Sequence, residues 1–295
     1  MKRQAKSVSA ASITTAERQQ SRSGKSETAR SSGTRATGKG SSAADRPACG
    51  CWVNLLEPAV GELVGACGYA YALIDMEHSP TTLDTALPMI RAVQYGGAKA
   101  IVRVPDKQPE WIGRLMDMGA DGVMVPMVNT ADDAQVLAKA AVYAPEGTRG
   151  MAAGIVRASR YGVDTEQYLK NYRKDFMLMV QIESREGMEQ AEQIAAVQGV
   201  DWVFIGPSDL AGSLGHCAQT QHKETRAAIR QICKSVRKVG KPLSTLTHAG
   251  RTTRQLFVDG FDLVFSGSDM GMLRMALQQD VSASDKIIQG LSGKG

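Results

Sequence analysis

Residues 73–80 read LIDMEHSP, an apolar strand that runs into Asp75, Glu77 and His78 and stops at Pro80. Three ionisable groups therefore stand where a buried strand leaves the core. Burying charge is costly unless the group is paired, bound to metal or used in chemistry. A strand ending in acid, acid and imidazole marks the rim of a functional site.

The same pattern repeats on both sides of this stretch. Short apolar runs end at Asn54, Asp75, Arg103, Val125, Glu183, Ile205, Thr247 and Phe265. Helix-length segments follow near 57–67, 81–95, 108–118, 130–142, 185–197, 222–238, 249–258 and 269–279. Glycines at Gly96-Gly97, Gly119, Gly199, Gly240 and Gly260 punctuate the junctions. Eight strand–helix pairs in about 250 residues is the rhythm of an α/β protein of the (β/α)8 TIM-barrel type. A doubly wound sheet is the alternative, because periodicity does not separate an open sheet from a closed one. Active sites of such barrels lie where strands pass into βα loops. Asp75, Glu77, His78, Arg103, Gln181, Glu183, Ser208 and Asp209 all fall there.

Composition bounds the remainder. The chain has 295 residues, 43% hydrophobic, and a net charge of +5. Residues 1–46 hold ten Lys/Arg against three acids, a net +7, which leaves the body at −2. The basic balance is thus no argument for nucleic-acid binding by the body. The 1–46 stretch lacks Leu, Phe, Tyr and Trp and reads as a disordered Ser/Thr/Arg-rich arm. An organelle transit peptide, mitochondrial or plastid, and a start codon placed too early are its other readings. The catalytic body is expected to be 47–295, and its location cytoplasmic unless the arm is a transit peptide. Five cysteines, Cys49, Cys51, Cys67, Cys217 and Cys233, fit no paired metal-binding pattern and read as reduced thiols. The longest apolar run, Leu63 to Ile74, is too short and too interrupted by glycine to span a bilayer, so no membrane partner is expected.

Chemistry follows from the strand ends. In a strand alternate residues share a side, so Gln181 and Glu183 point together while Ile182 packs away. The next strand runs into Gly206-Pro207-Ser208-Asp209, which would bring the Glu183 and Asp209 carboxylates near each other. Two carboxylates suit a hard divalent cation such as Mg2+ or Mn2+. Ser208 or Asp209 could equally be the N-cap of the next helix, and both readings can hold together. Free N–H groups at that helix start would favour a carboxylate or phosphate. Arg103 offers a fixed positive fork for a carboxylate or an enolate, or else a structural ion pair with Asp75 or Glu77. His78 is suited to shuttling protons near neutral pH, although a lone histidine after a strand is more often structural. Lys99 and Lys241 precede their strands and no strand ends in lysine, which argues against Schiff-base chemistry.

With these residues laid out, the chain resembles the HpcH/HpaI family of metal-dependent, class II pyruvate aldolases. The likeness runs from about Gly50 to Leu273 through LIDMEHSP (73–80), VRVP (102–105), MDMGADGVMVPMV (116–128), RASRYG (157–162), VQIES (180–184), GVDWVFIGPSDL (199–210) and GSDMGML (267–273). The resemblance implies a phosphoenolpyruvate/pyruvate-type barrel and a homo-oligomer, usually a hexamer with exchanged C-terminal helices. It implies Glu183 and Asp209 as ligands of a divalent metal, with Mg2+ or Mn2+ first and Co2+ or Zn2+ as alternatives. His78 is then the acid/base, and Arg103 stabilises the pyruvate enolate. Gln181, Gly206, Pro207 and Ser208 hold pyruvate, and Asp117 aligns with an acidic partner of the histidine. Asp117 ends a helix returning to the wrong rim, so it is expected to act in a neighbouring subunit's site. The implied reaction is cleavage of a 4-hydroxy-2-oxo acid to pyruvate and an aldehyde. Oxaloacetate decarboxylation, acyl-CoA lyase chemistry and a non-catalytic barrel are the alternatives. CGCWVNLLEP (49–58), Tyr69-Ala70-Tyr71 and GTRGMAAGI (147–155) depart from the family pattern and weaken inference about the aldehyde.

Overall fold

The strands are short, and nearly all their residues are buried on both faces, as a parallel sheet covered by helices requires. The computed structural model describes residues 47–292; the arm expected over 1–46 lies outside the described residues. The chain runs β1 (Ala48–Val53), α1 (Pro58–Ala66), β2 (Tyr71–Asp75), α2 (Leu83–Tyr95), β3 (Lys99–Arg103), α3 (Glu110–Asp117), β4 (Gly122–Val125) and α4 (Ala131–Ala140). It continues with α5 (Thr165–Asn171), β5 (Met177–Ile182), α6 (Arg185–Glu189), α7 (Ala191–Ala196), β6 (Trp202–Ile205), α8 (Pro207–Ser213) and α9 (Lys223–Lys238). It closes with β7 (Leu243–Leu246), α10 (Thr253–Val258), β8 (Leu263–Ser268) and α11 (Asp269–Ser292). Each strand pairs in parallel with the next, and β8 returns to β1, so the sheet is a closed (β/α)8 barrel. The open doubly wound alternative is excluded.

Strand periodicity divides the apolar residues into two separate clusters. Ala72, Ile74, Ala100, Val102, Val123, Leu178 and Val180 face outward beneath the helices. Tyr71, Leu73, Ile101, Met124, Met179, Phe204 and Phe265 face inward and fill the barrel. Near its top, Trp52, Phe204 and Phe265 interlock with ring centroids 5.5–6.1 Å apart. Gly50 makes room for this group, since a Cβ there would lie 2.6 Å from the Phe265 ring.

Strand ends fall within three residues of those read from sequence, and the helices differ more. The segment expected over 185–197 is two short helices, broken at Gln190. Helix α5 was not expected, and the helix start expected after Gly206-Pro207 is the separate short helix α8. α5 buries no side chain and so carries no amphipathic signal. α8 is seven residues that begin directly at Pro207. Helix α11 continues to Ser292, well past 279, and Asp269 is its only buried residue. Its Met275, Leu277, Val281, Ile287 and Ile288 are more than half exposed. Asp269 anchors the helix start by accepting the Asn54 and Leu55 N–H groups, each at 3.0 Å. Among the described residues no helix is long and apolar enough to cross a membrane.

Candidate active site

The inward stripes that fill the barrel change character at their last position. Tyr71-Leu73 is followed by Asp75, Ile101 by Arg103, Met177-Met179 by Gln181, and Trp202-Phe204 by Gly206. The same two-residue period that packs the core thus stacks a polar layer upon it. Above this layer opens a cleft of about 580 Å³, lined by Asn54, His78, Arg103, Gln181, Ser208 and Asp209 among others. Three larger hollows, of about 650, 710 and 790 Å³, lie elsewhere on the surface and include none of these strand-end residues. Size is a poor guide to chemistry here.

Arg103 is the hub. Its Nε donates to Asp75 Oδ1 at 2.9 Å and Nη2 to Oδ2 at 2.6 Å, while Nη1 lies 2.7 Å from Glu77 Oε2. The guanidinium also sits 4.6 Å from the Trp52 ring centroid. Both ion pairs weighed from sequence are therefore present, and Arg103 still borders the cleft. Asp75 further accepts from Trp52 Nε1 at 3.1 Å, Asn54 Nδ2 at 3.2 Å and the Glu77 and His78 N–H groups. Burial opposes its charge, but the bonds from Arg103 and the guanidinium's field, with Trp52, hold its carboxyl below the usual carboxylate range. Asp75 was read from sequence only as part of the strand-end rim, and Trp52 and Asn54 were not singled out. Alternation in CGCWVN places Trp52 and Asn54 on one side, a signal that could have found them.

Glu183 lies just past β5, where Ile182 pairs with Ile205 and the next residue of β6's course is Gly206. It is buried, accepts the Met127 N–H at 2.9 Å through Oε1 and the Gln181 amide through Oε2. Burial pushes its pKa up to about 8, the Met127 bond resists this, and the charges of Asp209 and Glu77 add to the rise. Glu77 is likewise raised by burial, with Arg103 and His78 opposing and Asp75 and Asp209 adding. Asp209 is close enough to be felt by both acids. Four carboxylates, Asp75, Glu77, Glu183 and Asp209, thus share a rim with one guanidinium. That donor set fits a divalent cation, which would relieve the repulsion around Glu183 and Asp209. Gln181 Oε1, buried without a hydrogen-bond partner, is a further unused oxygen in the same wall.

The capping alternative for Ser208 and Asp209 is corrected by the geometry. Gly206 is the N-cap of α8, Pro207 occupies its first turn and no side chain caps it. Ser208 and Asp209 are exposed and border the cleft. Gly206 has its own reason: a Cβ there would run into Glu183 Oε2 and lie 3.0 Å from Gln181 Nε2. Gly206→Ala is expected to displace both side chains and cut turnover at least about 100-fold, with little loss of fold. Steady-state rates together with circular dichroism would check this, and unchanged rates would refute the tight fit.

Asp117 does not join this group. It ends α3 at the opposite rim, where its carboxylate takes a 2.6 Å bond from Arg149 Nη2. Arg149 is buried, bonds Tyr168 Oη at 2.6 Å and stacks 4.5 Å from the Tyr143 ring centroid. Among the described residues no lysine lines the cleft. Lys241 instead binds the Val200 carbonyl, and Lys99 opens β3 at the far rim.

The chain has relatives among known proteins. Residues 48–276 match the family model described as HpcH/HpaI aldolase/citrate lyase. The chain is similar to a 5-keto-4-deoxy-D-glucarate aldolase of Klebsiella pneumoniae, at 36% identity over 248 residues, covering 84% of this chain and 96% of that protein. It is also 36% identical over 233 residues to a hydroxypyruvate/pyruvate aldolase of Chromohalobacter salexigens, covering 79% and 91% of the two chains. A solved structure of an HpcH/HpaI aldolase/citrate lyase family protein from Burkholderia cenocepacia superposes with a TM-score of 0.77 at 31% identity, covering 82% of this chain and 95% of that one.

Proposed function

The chain belongs to the HpcH/HpaI aldolase/citrate lyase family and is a carbon–carbon lyase, and from this premise and the cleft we propose reversible cleavage of a 4-hydroxy-2-oxo acid to pyruvate and an aldehyde. The observation that carries the reading is the excess of carboxylates over cations at the strand ends. Enzymes of this family generally depend on a divalent metal. Glu183 and Asp209 would hold the cation, Mg2+ or Mn2+ by the hardness of carboxylate oxygen, with Co2+ or Zn2+ as alternatives. When bound, such a cation takes up negative charge developing on the substrate's carbonyl oxygen.

The chain's own residues supply the rest. Gln181, Gly206, Pro207 and Ser208 form the wall that holds the pyruvate half. Arg103, locked by two carboxylates, turns a rigid positive edge to the enolate oxygen. His78 takes the proton of the 4-hydroxyl, and the C3–C4 bond breaks as the aldehyde carbonyl forms. The bond's electron pair passes into the pyruvate enolate, and a proton returned to C3 releases pyruvate. The missing lysine supports an electron sink other than a Schiff base.

Assembly is part of the same reading. The bare apolar residues of α11 support a homo-oligomer, a hexamer with exchanged C-terminal helices, in which Asp117 serves a neighbour's site. His78→Ala and Asp117→Ala proteins, each nearly inactive alone, are then expected to regain activity when their subunits are mixed and reassembled. Mixed oligomers no faster than either parent would remove Asp117 from the site. A cytoplasmic location accords with five free cysteines.

The test of the reaction is a panel of 4-hydroxy-2-oxo acids, with 5-keto-4-deoxy-D-glucarate first. Pyruvate and aldehyde are both measured on metal-loaded protein. Equimolar release of the two is the expected result. Pyruvate released from oxaloacetate, with no aldehyde from any hydroxy acid, would replace the aldolase reading by decarboxylation.

A further inference from the structure

A second group of metal-ligating side chains lies on the connection from α8 to α9. His216, His222 and Glu224 each offer a donor atom, and these atoms all lie within 4.8 Å of one another. None of the three lines the cleft. We propose that they form a separate site for a borderline divalent cation of the Zn2+ class, which clips the α8–α9 connection to the first turn of α9.

The local chain brings the donors together. After α8 the backbone turns through Gly215 (φ 85°) and Ala218 (φ 61°), which carries His216 back over the start of α9. His222 is the N-cap of α9 and Glu224 lies in its first turn. His216 Nε2 sits 2.8 Å from Glu224 Oε2, and the two imidazoles stack with centroids 3.5 Å apart. Tetrahedral zinc bonds of about 2.0–2.2 Å require donors about 3.3 Å apart, so one pair is already close enough and the third needs a small shift. Arg185 reaches Glu224 only through Oε1, at 3.5 Å, which leaves Oε2 to the histidines.

Two existing bonds give way to the cation: the 2.8 Å contact between His216 and Glu224, whose two donor atoms the cation would join, and a weaker one at His222. His222 Nδ1 accepts the Glu224 N–H at a long 3.4 Å, and coordination through either ring nitrogen would replace it. Two imidazoles and one carboxylate favour zinc, nickel or cobalt over magnesium, whereas Glu183 and Asp209 offer oxygen alone. The two sites therefore differ in donor chemistry, and this one stands whether or not the aldolase reading holds.

The test is a titration of the full-length Asp209→Asn protein with Zn2+ after chelator treatment, so that the cleft carboxylates do not compete. One equivalent is expected to bind with a Kd of about 10 µM or tighter. Saturation should raise the thermal midpoint by about 2–4 °C. His216→Ala or His222→Ala should each weaken binding at least about tenfold, and Glu224→Gln should weaken it as well. Zinc bound equally well by the His216→Ala/His222→Ala double variant would overturn the proposal. So would binding lost only in Cys217→Ser, or no binding at about 1 mM zinc.

Discussion

Replacing Glu183 by glutamine is expected to abolish turnover, by at least about 1000-fold, while leaving the cation-free protein more stable by about 1–3 kcal/mol. The two effects have one origin. Glu183 is buried beside Gln181 and feels the charges of Asp209 and Glu77, so its ionised form is costly until a cation arrives. Glutamine keeps the Met127 contact, and the Gln181 amide can turn its unpartnered Oε1 toward the new side chain. Chelation of the wild-type enzyme should reproduce the loss of rate, and Mg2+ or Mn2+ should restore it. Kinetics paired with chemical denaturation check both halves. Wild-type turnover in the variant would reject the metal role, and a large drop in stability would reject the account of the buried charge.

Arg103→Ala is expected to lower stability by about 3–5 kcal/mol as well as eliminating activity, because Asp75 would be left buried without its bidentate partner. Arg103→Lys separates the roles. It keeps one positive charge but cannot span both Asp75 oxygens and reach Glu77 as well. The lysine protein is expected to stay folded and to lose about 100-fold or more in kcat, with a smaller change in KM. An unchanged kcat would confine Arg103 to a structural ion pair, the alternative that the sequence left open.

Much of the barrel could be read from residues alone because strand ends are chemically abrupt. Leu73-Ile74 gives way to Asp75, and Val102 to Arg103, so the end of burial coincides with the onset of charge. Helices gave less warning. In α5 no face is buried, and in α11 the apolar residues have no partner within the described chain, so neither shows the stripe that marks a packed helix. The site divides in the same way. Glu183, Gln181 and Arg103 declare themselves as polar residues inside apolar runs. The cradle around Asp75 does not, since Trp52 lies 23 positions away in sequence and Asn54 21. Only closure of β1 against β2 brings them to its carboxylate.

The interlocked Trp52, Phe204 and Phe265 rings have a consequence for how such an enzyme diversifies. They stop the barrel like a cork, so no reactant can reach deeper than the strand tips, and a longer aldehyde must extend toward solvent. Variation in which aldehydes are accepted should therefore map to Leu246, Thr247, Gly267 and Ser268 at the mouth, where a changed side chain leaves the filled interior undisturbed.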